Sequence, residues 1–298
     1  GMSAIYYEAS SDWFGALTEI APTSGYWVVI NGEEGLDVVG IPTDPGTIYD
    51  LDLHTNLISY PFAGSASIGE TIPTNAQSSI DAILGEGAAA LNSDDGWFGG
   101  LVNLSGTEGY WFITNTEVSF SYNPPVEGAA RMASPIRSVP LEYSFKQSTQ
   151  QAFYFVNNAT IDGEPIENED LIIAYNGDVR VGSRYWYGDV TDVPAMGADG
   201  SAYFACYCSS GDKISFKVLD ASSGNLIDMV SDGETIWHNN NFSVISLSDR
   251  IIPEEISFSA AYPNPFNPVT KLEFSVPTEM DVQVVVYDMM GRELSELA

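Results

Sequence analysis

The chain has 298 residues, 41 Asp and Glu against 10 Lys and Arg, and a formal charge of −31; this balance excludes the basic footprint of a nucleic-acid binder and argues against docking on anionic lipid. With 44% hydrophobic and 12% aromatic residues there is ample material for real cores, and the length suits two or three domains. Two His and two Cys cannot build an ordinary zinc or iron–sulfur site without carboxylates, so no cofactor is expected. No stretch approaches the ~20 apolar residues of a membrane helix, so no transmembrane segment is expected. The opening Gly1-Met2-Ser3-Ala4-Ile5 lacks the basic start and apolar run of a signal peptide. The acidic excess reads as a solvated surface, suited to salty surroundings where charge is screened within ~8 Å.

The chain opens on an internal repeat. Residues 13–31 and 97–115 align without a gap at an offset of 84, and Trp13, Phe14, Gly15, Leu17, Thr23, Gly25, Tyr26, Trp27 and Asn31 recur identically. The second copy is whole, within residues 46–125; the first, within 1–45, corresponds to the C-terminal half only and reads as a clipped module. A half-module cannot bury its apolar face alone, so residues 1–45 are expected to lean on the second copy or to stay poorly covered. In the second copy, Tyr49-Asp50-Leu51-Asp52-Leu53 and Asn56 to Tyr60 read as strands. Ile72, Ala76, Ile80, Ile83 and Leu84 recur near helical spacing and predict one helix, capped at Thr74-Asn75 and ended by Gly85 and Gly87. Strands follow at 97–101, 110–114 and 118–122.

Residues 126–140 read as a linker and 141–250 as a β-sandwich, with turn signals every 8–12 residues and no long helical period. Gln151–Val156, Leu171–Tyr175, Val179–Gly182, Ala202–Cys208 and Lys213–Asp220 are the predicted strands, and Asn176-Gly177-Asp178 is a primed hairpin turn. Cys206 and Cys208 then fall on one strand face, as two reduced thiols; a disulfide across one residue would be strained.

Residues 251–298 form a last unit. Tyr262-Pro263-Asn264-Pro265-Phe266-Asn267-Pro268 is an extended, proline-restricted lead-in. Strands follow at 271–277 and 281–287, then a turn at Asp288-Met289-Met290-Gly291 and a third strand from Arg292. The heptapeptide, Thr270, the pair Tyr287-Asp288 and the pair Gly291-Arg292 together resemble the type A C-terminal sorting domain of cargo proteins of the type IX (Por) secretion system. The resemblance covers about 37 residues. It implies an immunoglobulin-like sandwich, export through the type IX machinery as partner, and release or anchoring at the outer cell surface. Such domains continue for several more strands, so this unit is expected to be partial. The upstream repeats, with Asn56-Leu57-Ile58-Ser59-Tyr60-Pro61 and the Gly-Tyr-Trp elements, resemble uncharacterised modules of such secreted proteins.

Chemistry is sparse. His54 and His238 are the only histidines and lie in different modules, and no G-x-S-x-G elbow or phosphate loop is present. Oxygen-rich turns at Asp189–Asp192, Gly197–Gly200, Asn176–Asp178 and Ser93–Asp95 lack the full calcium-loop spacing and read as Asx turns, with calcium kept as the open alternative. Trp13, Trp27, Trp97 and Trp111 are expected in module cores. The candidate aromatic platforms for an extracellular polymer or glycan are Tyr185, Trp186, Tyr187, Tyr26 and Tyr110. The expectation is a mainly β, secreted or surface-displayed, adhesin-like multi-module protein with a non-catalytic adhesion, binding or spacer role. The alternatives are the accessory stalk of an extracellular polysaccharide or protein hydrolase, and a structural coat or filament component.

Overall fold

The computed structural model describes residues 3–7, 10–29, 41–125, 136–188, 190–249, 256–260, 262, 265, 268–271, 274–275, 283, 285–288 and 290–296. Strand dominates throughout, as the patterning predicts. In the first repeat copy, β1 (Ala4–Tyr7) and β2 (Asp12–Gly15) form an antiparallel hairpin with Tyr6 opposite Trp13 and Ile5 opposite Phe14. The second copy holds β3 (Tyr49–Leu51), β4 (His54–Ser59), β5 (Ser65–Ser67), α1 (Ile68–Thr71), α2 (Thr74–Gln77), β6 (Ile80–Leu84), β7 (Ala89–Ser93), β8 (Gly96–Phe98), β9 (Asn103–Ser105), β10 (Gly109–Thr114) and β11 (Val118–Phe120). Its main sheet runs β4-β10-β6-β7-β8, with β3/β11 and β5/β9 as separate pairs.

The single helix expected across 72–85 is not there. Two four-residue helices stand at its front, and Ile80–Leu84 is the central strand β6, paired with β10 and β7. Both faces of β6 are covered: Ile80 and Ile83 join the module's own core, while Ala82 and Leu84 face the neighbouring module. A strand buried on both sides loses its period of two and mimics a short buried helix. The module core is aromatic, with Tyr122 edge-on to Tyr49 at 4.9 Å and to Phe120 at 5.0 Å, a preferred geometry for ring quadrupoles.

The duplication seen in the sequence is a duplication of contacts. Leu17 N–H donates to Ser3 O at 3.1 Å, and Leu101 N–H to Ala89 O at 3.0 Å. Gly15 and Gly99 take φ of +152° and +124°, and a Cβ on either would overlap that same carbonyl; this is why both copies carry Trp-Phe-Gly. Tyr26 Oη accepts from Ala21 N–H at 2.7 Å and Tyr110 Oη from Ser105 N–H at 2.8 Å, again 84 apart. The first copy also leans on the second: Gly25 N–H donates to Leu57 O and Ser59 N–H to Thr23 O, so residues 23–25 cover the free edge of β4. Trp13 departs from the core expectation and is 65% exposed. Its counterpart Trp97 bonds Gln77 Oε1 through Nε1 at 3.2 Å and packs on the module core; no described residue plays the part of Gln77 for Trp13.

The middle module is built from β12 (Gln151–Ile161), β13 (Glu164–Pro165), β14 (Leu171–Asn176), β15 (Val179–Tyr185), β16 (Thr191–Met196), β17 (Ile214–Leu219), β18 (Leu226–Asp232) and β19 (Phe242–Ser248). They form one sheet in the order β13-β12-β19-β18-β17-β14-β15, with β16 on β12 and β12 parallel to β19. The sheet curls over one core, to which Tyr154, Ile172, Val181, Val193, Phe216, Met229 and Ile245 contribute from seven strands. Where it nearly closes, β15 meets β16 without a ladder: Gly182 has no Cβ to strike Pro194 O, and Pro194 has no N–H to offer there. Gly177 takes φ +57° at the expected hairpin turn. Residues 202–208, predicted as a strand, are instead a 3-10 turn (Ala202–Phe204) and loop, leaving Cys206 exposed and Cys208 buried, both unpaired. Of the expected linker, 126–135 lies outside the described residues. Residues 136–147 run along the outer face of the sheet, where Ser183 Oγ donates to Tyr143 O and Arg137 sits 3.8 Å over the Tyr185 ring.

The two modules share a third core. Ala82, Leu84 and Ala89 pack against Phe153 and Phe155, with Trp111, Ile113 and Phe242 at the margin. In the last unit, β20 (Ser257–Phe258) pairs with β21 (Phe274–Ser275) and β22 (Val285–Tyr287) with β23 (Glu293–Glu296).

Candidate functional site

Two places gather polar chemistry. The first is buried between the modules. Asp192 on β16 follows the strand alternation that sends Val193 and Ala195 inward, so its carboxylate points outward, into the repeat module, fully buried. There Oδ2 accepts from Ala89 N–H at 2.7 Å and from Arg184 Nη2 at 3.3 Å, while Oδ1 accepts from Gly100 N–H at 3.0 Å and from Tyr187 Oη at 2.6 Å. Arg184, 5% exposed, also donates to Asp192 O and to Gly87 O. A buried carboxylate is tolerable only when so many donors replace water. The cluster joins two modules across 92–103 residues of chain, and with Asp192 fully buried at its centre it acts as a lock between them.

The predicted aromatic platforms fare differently from expectation. Trp186 is 7% exposed and belongs to the middle core. Tyr110 is 1% exposed; burial, then the bond to Glu108, hold its hydroxyl well above the usual phenol range. Tyr187 shows 43% of its surface, yet its hydroxyl is spent on Asp192, and burial followed by that negative charge pushes its pKa far up. The face of Tyr185 is taken by Arg137, and Tyr26 is half-buried with its hydroxyl bonded to backbone. The contacts of these rings lie within the modules or, for Tyr187, at the cluster between them; strand position alone does not say which ring meets water.

The oxygen-rich turns do not converge. Among the described residues no group of three or more His, Cys, Asp or Glu could hold a metal ion, and Asp189 lies outside them. Asp199 Oδ1 accepts from Ser201 N–H, and Asp95 N–H donates to Ser93 Oγ, as Asx- and Ser-type turns do. His54 starts β4 at φ +80°. His238 Nδ1 lies 2.7 Å from Ser210 Oγ, but both side chains are exposed and no described carboxylate bonds the ring. Of the C-terminal motif, Pro263, Asn264, Phe266 and Asn267 lie outside the described residues. Tyr262 and Lys271 exchange both backbone hydrogen bonds. Asp288 Oδ1 accepts from Met290 and Arg292 N–H and Oδ2 from Arg292 Nε at 2.8 Å, with Gly291 at φ +77°. Those bonds, the Arg292 backbone first, hold the Asp288 carboxyl below its usual range.

The second place is an open groove of about 470 Å³ on the middle module. One wall is the β14–β15 hairpin with Tyr175, Asp178 and Arg180; the other is the 3-10 turn and loop with Tyr203 and Tyr207; Lys146 closes one side. Tyr207 Oη accepts from Lys146 N–H at 3.1 Å, fixing the loop to the strap formed by residues 136–147. Of these residues only Asp178 stood out in the sequence, as part of an oxygen-rich turn; the others are as much as 61 positions apart, from Lys146 to Tyr207.

The chain matches no family model, no curated protein and no solved structure. The fold defines a β-rich assembly of a duplicated module and a curled-sheet module.

Proposed function

We propose that this chain belongs to a secreted or cell-surface multi-module protein, exported by type IX secretion, with a non-catalytic role in adhesion, binding or spacing. The observation that carries the reading is the combination of Tyr262 to Pro268 with Tyr287-Asp288 and Gly291-Arg292, the residues by which the last unit resembles a type A sorting domain. Asp288, Gly291 and Arg292 close one hairpin turn, a local folding role for that part of the motif. The tandem repeat and the acidic surface support an extended extracellular role. Antibody against residues 141–249 tests it: antigen should lie on the surface or in the medium of the source bacterium and vanish from both when the type IX translocon is deleted. Antigen confined to the cytoplasm, or export indifferent to that deletion, refutes the reading.

A further inference from the structure

We infer that the groove between Lys146, Arg180 and Tyr203 is a binding site for an acidic saccharide, a sugar unit carrying carboxylate or sulfate. This deepens the binding role proposed above and rests on it. The first argument is charge. A chain with 41 acids and 10 bases could neutralise every cation it owns several times over. Nevertheless Lys146 and Arg180 both line this groove, and neither makes an ion pair with a described acid.

The second argument is preorganisation. Arg180 Nε donates to Ser144 O at 3.0 Å, which anchors the guanidinium and leaves its two terminal nitrogens, the pair that grips an oxyanion bidentately, without a partner among the described residues. Lys146 Nζ is held 4.2 Å from the centre of the Tyr203 ring, a cation–π contact that fixes a mobile ammonium at the mouth.

The third argument is shape. Tyr203 is 60% exposed and edge-on to Phe204 at 5.0 Å, which in turn packs on Tyr207 at 5.0 Å. With Lys146 Nζ already over its ring, the exposed, propped tyrosine offers its hydroxyl and ring edge to a sugar and sets the ammonium beside them. Tyr175 lines the groove from the hairpin wall, and Asp178 offers an acceptor for sugar hydroxyls. The volume falls within the ~300–1,000 Å³ of small-ligand clefts. Overall repulsion by the −31 surface does not forbid this, since at physiological salt charges beyond ~8 Å are largely screened.

Titration calorimetry on the full chain, at physiological salt, uses three trisaccharide probes: a galacturonate oligomer, a sulfated galactose oligomer and a neutral galactose oligomer. Binding of either acidic probe over the neutral one is expected, and the probe that binds names the anion. Lys146→Gln and Arg180→Gln should each weaken it about tenfold or more, the worth of one charged hydrogen bond, and Tyr203→Ala should weaken it with an unchanged melting temperature. Lys146 and Tyr203 are exposed, so their variants remain informative if Arg180→Gln loosens the strap. No heat with any acidic probe, equal binding of the neutral one, or affinity untouched in Lys146→Gln overturns the site. A surface-located protein that binds none of these probes keeps the export reading and loses this one; a cytoplasmic protein that binds them does the reverse.

Discussion

Asp192→Ala removes the hub of the buried cluster between the modules. The change leaves Arg184, 5% exposed, without its counter-charge and strips the Ala89 and Gly100 N–H groups of their acceptor. Breaking a buried ion pair from one side costs about 3–5 kcal/mol, and each orphaned buried amide about 1–3 kcal/mol before relaxation. The parts reach at least about 5 kcal/mol before relaxation, which puts the expected loss at the upper end of single substitutions, about 5 kcal/mol. At ~2–4 °C per kcal/mol for 150–250 residues, the melting temperature of residues 46–249 should drop by more than about 8 °C. The double variant Arg184→Met/Asp192→Leu separates the two parts: it removes the stranded charge but not the orphaned amides, so it should recover about half the loss. Urea unfolding followed by fluorescence reads both, because Trp111 sits at the shared core and Trp186 and Trp237 in the middle one. A loss below about 1 kcal/mol for Asp192→Ala would mean that water reaches the cluster and that the modules are not locked there.

Gly182→Ala drives a methyl into Pro194 O across the seam of the curled sheet, and should cost about 3 kcal/mol or more in urea unfolding; a neutral result refutes the close β15–β16 approach. Thiol titration under native conditions should label Cys206 alone and reach Cys208 only on unfolding, since one is exposed and the other buried; immediate labelling of both would contradict the loop. Burial, then the Asp212 charge, pushes the Cys208 thiol up to about 12, and burial raises Tyr110, Tyr122 and Tyr154 above the usual phenol range. The unfolded chain releases these protons first, so stability is whole below pH about 9 and falls as pH climbs toward 12. Thermal melts flat to pH about 11.5 would contradict that burial.

The repeat is the feature of this protein that its amino-acid sequence displays most openly. Trp-Phe-Gly and Gly-Tyr-Trp recur because Gly15 and Gly99 each lie under a carbonyl and Tyr26 and Tyr110 each take an N–H five residues upstream. Those are local contacts, and local contacts leave local signatures. The alternating strand β17 and the turn at Gly177 were legible for the same reason. Strand β6 was not, because its second face is covered by Phe153 and Phe155, about 70 residues further along.

The groove and the lock lie beyond what composition and spacing can reveal. Lys146, Arg180 and Tyr203 meet only because a strap, a hairpin and a 3-10 turn fold onto one end of a sheet. Asp192 resembles any turn aspartate until β16 aims it at Ala89 and Gly100. A strand's alternation sets which way a side chain points; only the partner brought up against that face decides whether it meets water, a charge or a ring.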